Sequence, residues 1–155
     1  MTDVPTIRGR FVAASTDNPK PEFHLPVVRI ALADDPKYKP GGPLDPRSIK
    51  TDLTALVDTG ADGCVIDKAI AESLGLKRLP SREISRTGIK AETTIYDGLL
   101  VLMDINYVLA GELPAVPLRD NGLAFDAILG MDLLRRFDVR ISRKDDIVSL
   151  RYLGE

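Results

Sequence analysis

The sequence predicts an all-β fold with one or two short helices, carried by a single domain of 155 residues. Three observations predict it. Apolar runs of strand length, such as Val27-Val28-Arg29-Ile30-Ala31-Leu32-Ala33 and Ala55-Leu56-Val57, recur along the chain and are bounded by Gly, Pro, Asn and Asp. Only two stretches, 67–75 and 131–137, read as helices, and both are short. The 11 prolines and 12 glycines punctuate what lies between.

In chain order, residues 6–13 alternate loosely and form a first strand, which 17–21 (Asp-Asn-Pro-Lys-Pro) ends. Residues 23–33 are a stronger strand. Pro26 cannot donate to a ladder, so its first half belongs at an edge and 27–33 is the firm part. Residues 34–50 hold four prolines and the pair Gly41-Gly42, a composition that supports no regular element. We read this segment as an insertion between two paired strands, because fifty residues are too few to hold a core of their own. The chain is therefore one domain, 1–155, with N-terminal strands and the 34–50 insertion in 1–50 and the main core in 51–155.

Residues 55–57 form a strand buried on both faces, and a second apolar run, Cys64-Val65-Ile66, follows almost at once. A helix over 67–75 has Asp67 as its N-cap, Ile70 and Leu74 on one face, and Gly75 as its stop. Extended runs at 82–87 and 91–102 make a hairpin with Gly88 at its tip. Pro114 and Pro117 bracket a short edge strand over 115–118, and Asp120-Asn121-Gly122 signals a turn. A buried strand over 125–129, a helix over 131–137 and closing strands at 138–142 and 147–153 complete the chain.

Composition removes several classes of function. The net charge is −2 and no Lys/Arg-rich run occurs, so nucleic acid is not an expected partner. No apolar stretch approaches the roughly 18 residues of a membrane span, so no membrane partner is expected. Met1-Thr2-Asp3-Val4-Pro5 does not resemble a signal peptide, and one cysteine excludes an internal disulfide; a reducing, cytoplasmic setting is expected. His24 is the only histidine, which leaves little for a Cys/His or Ser/His arrangement. No His/Cys cluster offers a metal site, and the glycines form no phosphate loop, so neither metal nor cofactor is expected. Cys64, beside apolar Val65, reads as a small buried hydrophobe.

The stretch that breaks a local rule is Asp58. It is a carboxylate delivered by one buried strand into a Thr59-Gly60 turn just before another buried strand, a placement seldom used for structure alone. The run Leu56-Val57-Asp58-Thr59-Gly60-Ala61-Asp62-Gly63-Cys64-Val65-Ile66 resembles the active-site loop of the retroviral-type aspartic proteases, the retropepsin family. Ala127-Ile128-Leu129-Gly130-Met131-Asp132-Leu133-Leu134 is similar to that family's apolar-apolar-Gly segment leading into a short helix. Gly60 and Gly130 lie 70 positions apart, close to what one lobe requires, which makes the pair far more specific than Asp-Thr-Gly alone. The resemblance spans about residues 50 to 150 and gives no account of the first fifty.

The resemblance implies a closed, β-barrel-like acid protease lobe, a two-fold homodimer, a polypeptide substrate and no cofactor. Amide hydrolysis by carboxylates takes two, one accepting a proton from water and one protonating the carbonyl oxygen. Asp-Thr-Gly occurs once in the chain, so the second acid must come from another copy. Asp58, Thr59 and Gly60 are then the catalytic residues, with the Thr59 hydroxyl bonding across the axis and Gly60 bringing its N–H to the carboxylate. Ala61, Asp62 and Gly88, the tip of the flap, would contact substrate. Ala61 replaces the hydroxyl residue of pepsin-like relatives, which moves the expected working range toward mildly acidic pH. Two features depart from the viral pattern: Met131 stands where a basic residue is usual, and the flap has one glycine rather than several. The rival readings are a non-catalytic dimer of the same fold that grips peptides or only dimerises, and a protease acting on its own chain.

Overall fold

The computed structural model describes residues 3–15, 17, 20, 24–86 and 89–154, with only the backbone described for 82–86 and 89–92. It is mostly β with two short helices. Among the described residues, eleven strands fall into two sheets: β1 (Thr6–Arg8), β2 (Arg10–Ala13), β3 (His24–Ala33), β4 (Ile49–Val57), β5 (Val65–Asp67), β6 (Lys77–Arg86), β7 (Ile89–Leu102), β8 (Tyr107–Val116), β9 (Ala127–Leu129), β10 (Phe137–Ser142) and β11 (Ile147–Tyr152). The larger sheet runs β2-β3-β4-β9-β5-β8-β7-β6, and the smaller β1-β11-β10. Ala31, Leu32 and Ala33 of β3 also pair with Val101, Leu100 and Leu99 of β7, so the ladders run from β3 through β4, β9, β5, β8 and β7 back to β3.

That circuit explains the uninterrupted apolar character of its two joining strands. Val28, Ile30 and Leu32 of β3 and Leu100 and Leu102 of β7 face the main core with Leu113, Leu129, Leu133 and Leu134. The alternate residues Ala31, Ala33, Leu99 and Val101 form a second cluster on the opposite face. Tyr38 and Leu44 from the 34–50 insertion, with Ile49 and Val108, cover it. The insertion does connect two paired strands, since Ala33 stands opposite Ile49. It is closed by the Asp35 carboxylate, which accepts from the backbone N–H of Lys37 and of Asp45, both at 3.1 Å. Asp45 in turn caps a 3₁₀ turn at Pro46–Ser48 through the Arg47 N–H, which holds its carboxyl below the usual range.

Several expectations shift. The single strand expected over 6–13 is two, because the chain leaves one sheet for the other at Gly9, where any Cβ would overlap the Val27 carbonyl. The short edge strand expected over 115–118 is the end of ten-residue β8, which has β7 on one side and, at Ala115 and Val116, β5 on the other. Pro114 fits because it lies just outside the doubly paired stretch. The helix expected over 131–137 is one turn, α2 (Met131–Leu134), and Phe137 already begins β10 to stack with Tyr107 and Tyr152. The helix α1 (Lys68–Leu74) ends at Gly75 with φ of +69°, as the glycine predicts. Asp67, however, does not cap it with its side chain. Its buried carboxylate accepts instead from the N–H groups of Leu118 and Arg119, at 2.9 and 3.1 Å. The hairpin is present as β6 and β7 in antiparallel register down to Arg86 opposite Ile89; its expected tip, Gly88, lies outside the described residues.

Candidate active site

The site begins with two short parallel strands. Ala55, Leu56 and Val57 of β4 stand beside Ala127, Ile128 and Leu129 of β9, and this apolar pair ends with the Asp58 N–H donating to the Leu129 carbonyl at 3.1 Å. Beyond it the chain turns sharply: Ala61 N–H donates to the Asp58 carbonyl at 3.2 Å, and Gly60 N–H to Asp58 Oδ1 at 3.0 Å. Asp58 is half-buried, while Thr59 and Gly60 form the exposed tip. Gly60 thus reaches the carboxylate as expected. A Cβ on Gly60 would sit 3.3 Å from Asp58 Oδ1, so the small residue keeps that approach open.

The second half of the loop leans on α2. Met131 N–H donates to the Ala61 carbonyl at 2.7 Å and Asp132 N–H to the Asp62 carbonyl at 2.9 Å. These backbone bonds join loop and helix where Met131 offers no charge to pair with Asp62. The contact needs a glycine at 130. A Cβ on Gly130 would come within 2.5–2.7 Å of the backbone of Gly63. Asp132 then reaches back along the same seam, its carboxylate accepting from the Cys64 N–H at 3.1 and 3.2 Å and from the Cys64 thiol at 3.1 Å.

Cys64 is buried, and burial, followed by the Asp132 carboxylate, pushes its thiol up to about 12. A thiol so held is protonated at neutral pH and is no nucleophile. At the far end of the β4–β9 pair lies another acid. Asp126 is buried, with Oδ2 accepting from Thr54 N–H at 2.8 Å and Oδ1 from Arg119 Nε at 2.7 Å; the Asp126 carboxylate in turn raises the Arg119 guanidinium.

The structure therefore brings Asp58, Thr59, Gly60, Ala61 and Asp62 into one loop. Sequence reasoning missed the part Asp132 plays and the close approach of Gly130 to the Gly63 backbone, although a glycine in the apolar run Ile128-Leu129-Gly130-Met131 carried a signal of close packing. Among the described residues no group of three His, Cys, Asp or Glu side chains could hold a metal, and no helix is long and apolar enough to cross a membrane.

The profile of a family described as "gag-polyprotein putative aspartyl protease" matches residues 50–136, which contain the whole of this loop and its α2 brace. Among solved structures, the chain is similar to a retropepsin-like aspartic protease from Rickettsia conorii, with 20% identity over 98% of this chain and 97% of that one and a TM-score of 0.46. It is also similar to the retroviral protease-like domain of Ddi1 from Leishmania major, with 23% identity, 66% and 86% coverage and a TM-score of 0.37. No curated protein sequence matches the chain.

Proposed function

The chain belongs to the gag-polyprotein aspartyl protease family, and from that premise we propose that it is an aspartic endopeptidase whose one active site is built by two copies of the chain. The observation that carries the reading is the setting of Asp58. Its carboxylate is half-buried, takes a single hydrogen bond from its own loop among the described residues, and stands at an exposed turn fixed on both sides. The buried carboxylates of Asp67 and Asp126 each accept from two donors. This one is held still and left available.

One such acid is half of a reaction centre. With a second Asp58 brought up across a two-fold axis, the two carboxyl groups share one proton, in the coupled titration that aspartic proteases show. The ionised carboxylate takes a proton from water as the water oxygen bonds to the amide carbon, and its neighbour protonates the carbonyl oxygen. When the tetrahedral intermediate collapses, the C–N bond breaks and a proton passes to the departing amine. No metal or cofactor takes part. The exposed Thr59 hydroxyl bonds across the axis to the partner loop, and Gly60 directs its N–H at the carboxylate. An extended polypeptide lies along Ala61 and Asp62, with β-type backbone pairing, beneath the β6–β7 hairpin whose tip is Gly88. The lobe as a whole, residues 1–155, acts as a closed barrel-like half of the homodimer. A chain with one cysteine suits the reducing cytoplasm.

The test is a mixing experiment. Wild-type and Asp58→Asn chains are unfolded together, refolded at equal amounts, and assayed on a denatured protein between pH 4 and 7. A shared dyad leaves about one quarter of the activity, since only wild-type pairs cut, whereas a site complete in each chain leaves about one half. Cleavage by Asp58→Asn alone, or a purely linear loss, overturns the proposal.

A further inference from the structure

The Asp58 loop is anchored at its entrance by strand pairing, but its exit has no ladder partner until Val65 opposite Ile128. Between them, Ala61, Asp62, Gly63 and Cys64 cross the N-terminal turn of α2. The Met131 and Asp132 N–H groups hold its first half through the Ala61 and Asp62 carbonyls, and a side chain holds its second half at Cys64. Asp132 Oδ1 collects three donors at once: the Cys64 N–H at 3.1 Å, the Cys64 thiol at 3.1 Å and the N–H of Leu133 at 2.8 Å.

Asp132 is exposed on its outer side. A surface carboxylate has no need of this contact for solubility, and capping α2 would require only the Leu133 N–H. The bonds to Cys64 fasten α2 onto the strand that leaves the loop, at the seam where Gly63 and Gly130 bring two backbones together. The thiol remains a donor at neutral pH because burial raises it to about 12, so the fastening does not open in the range where a dyad works.

We propose that Asp132 is a positioning residue for the Asp58 turn, acting through Cys64 to hold the loop in the geometry a shared dyad requires. It touches neither substrate nor the reacting atoms. A dyad tolerates little displacement, because misplacing a reacting group by about 1 Å costs about a hundredfold in rate. This inference rests on the protease reading only for its catalytic consequence; the mechanical link between Asp132 and Asp58 stands or falls separately.

The experiment therefore has two readouts on wild type, Asp132→Ala and Asp132→Asn. Amide hydrogen exchange at Gly60, Ala61 and Cys64 reports the loop directly. In Asp132→Ala these three amides should exchange about tenfold or more faster, while amides of the β3–β4 ladder keep their wild-type protection. On an extended peptide substrate, kcat should fall about ten- to a hundredfold with KM held within about twofold. Asp132→Asn keeps Oδ1 as an acceptor for all three donors and should restore both readouts to within about threefold of wild type. Wild-type exchange at Gly60 in a folded Asp132→Ala overturns the proposal, as does a loss that appears in KM or that Asn fails to rescue. Should Asp132→Ala not fold, Asp132→Ser keeps a polar first turn but lacks the reach to Cys64, and unchanged Gly60 exchange there is equally fatal. If wild type itself cuts nothing, the protease reading fails while the exchange result still decides the role of Asp132.

Discussion

Two acids terminate the same pair of parallel strands, and they are treated in opposite ways. Asp126 precedes β9 at one end of the β4–β9 pair, is 6% exposed, and has both oxygens engaged, by Thr54 N–H and by Arg119. Asp58 follows β4 at the other end, is half-buried, and receives only the Gly60 N–H among the described residues. A carboxylate bonded on every side holds a fold together because removing it orphans its donors. One bonded on one side, on a turn whose backbone is fixed by others, can be removed with little effect on folding and a large effect on chemistry. The contrast in bonding separates the two acids more sharply than their burial alone.

The strongest way to break that contrast is to remove each charge in turn. Asp58→Asn should lower peptide cleavage by about 10³-fold, because the general base is lost, while the melting temperature stays within about 2 °C of wild type. A fall of 10 °C or so in that variant would show that Asp58 supports the fold as Asp126 does. The next largest effect belongs to the brace between the two ends. Gly130→Ala pushes a methyl group to 2.5–2.7 Å from Gly63 backbone atoms, which cannot rotate away. It should destabilise by about 2–3 kcal/mol, near 5–10 °C, and displace the Asp58 loop enough to suppress cleavage. A fully stable and active Gly130→Ala would remove the close approach from the account. Third comes Asp126→Ala, which leaves the Thr54 amide and Arg119 without their acceptor and should cost about 2–3 kcal/mol in thermal unfolding. Asp126→Ala chains that do fold should keep most of their activity per folded molecule, the inverse of Asp58→Asn.

How legible each end was in the sequence follows from the same physics. Asp58 announced itself because a charge between Ala55-Leu56-Val57 and Cys64-Val65-Ile66 violates a local pattern, and local violations can be seen in one chain. The apolar runs that became β3, β4 and the end of β7 were equally plain. Asp126 could not be seen. Its partners are an amide 72 residues earlier and an arginine seven residues earlier whose approach depends on a 3₁₀ turn at Arg119–Asn121. The same holds for Asp67, which reads locally as a helix cap but is drawn to the Leu118 and Arg119 amides by tertiary packing. The first half of β8 was missed because Gly111 and Pro114 interrupt its alternation, and it is held by β7 rather than by its own propensity. The insertion over 34–50 was read as irregular throughout, but Pro46–Ser48 form a 3₁₀ turn and Ile49 and Lys50 already belong to β4, and nothing local tells that Tyr38 and Leu44 would cover the outer cluster on β3 and β7.

The smallest effect at neutral pH sharpens the comparison from the side of the loop exit. Cys64 is the group that ties the Asp58 turn to Asp132, and it titrates only in the folded chain's alkaline range, near 12, against an ordinary thiol value of 9.0. A raised acid pKa means the native state keeps its proton where the unfolded chain has lost it. The associated stability is therefore fully present below about pH 9 and is lost as pH climbs through about 12. Urea unfolding of wild type and Cys64→Ala at intervals from pH 7 to 11 isolates this one group, since every lysine and tyrosine titrates alike in both chains. At pH 7 wild type should be the more stable by about 1 kcal/mol, from the hydrogen bond and the filled volume. That advantage should shrink steadily above pH 9 and reverse before pH 11. Parallel curves across the whole range would mean that the thiol is not confined with the Asp132 carboxylate, and that the loop exit is as open to solvent as the turn it supports.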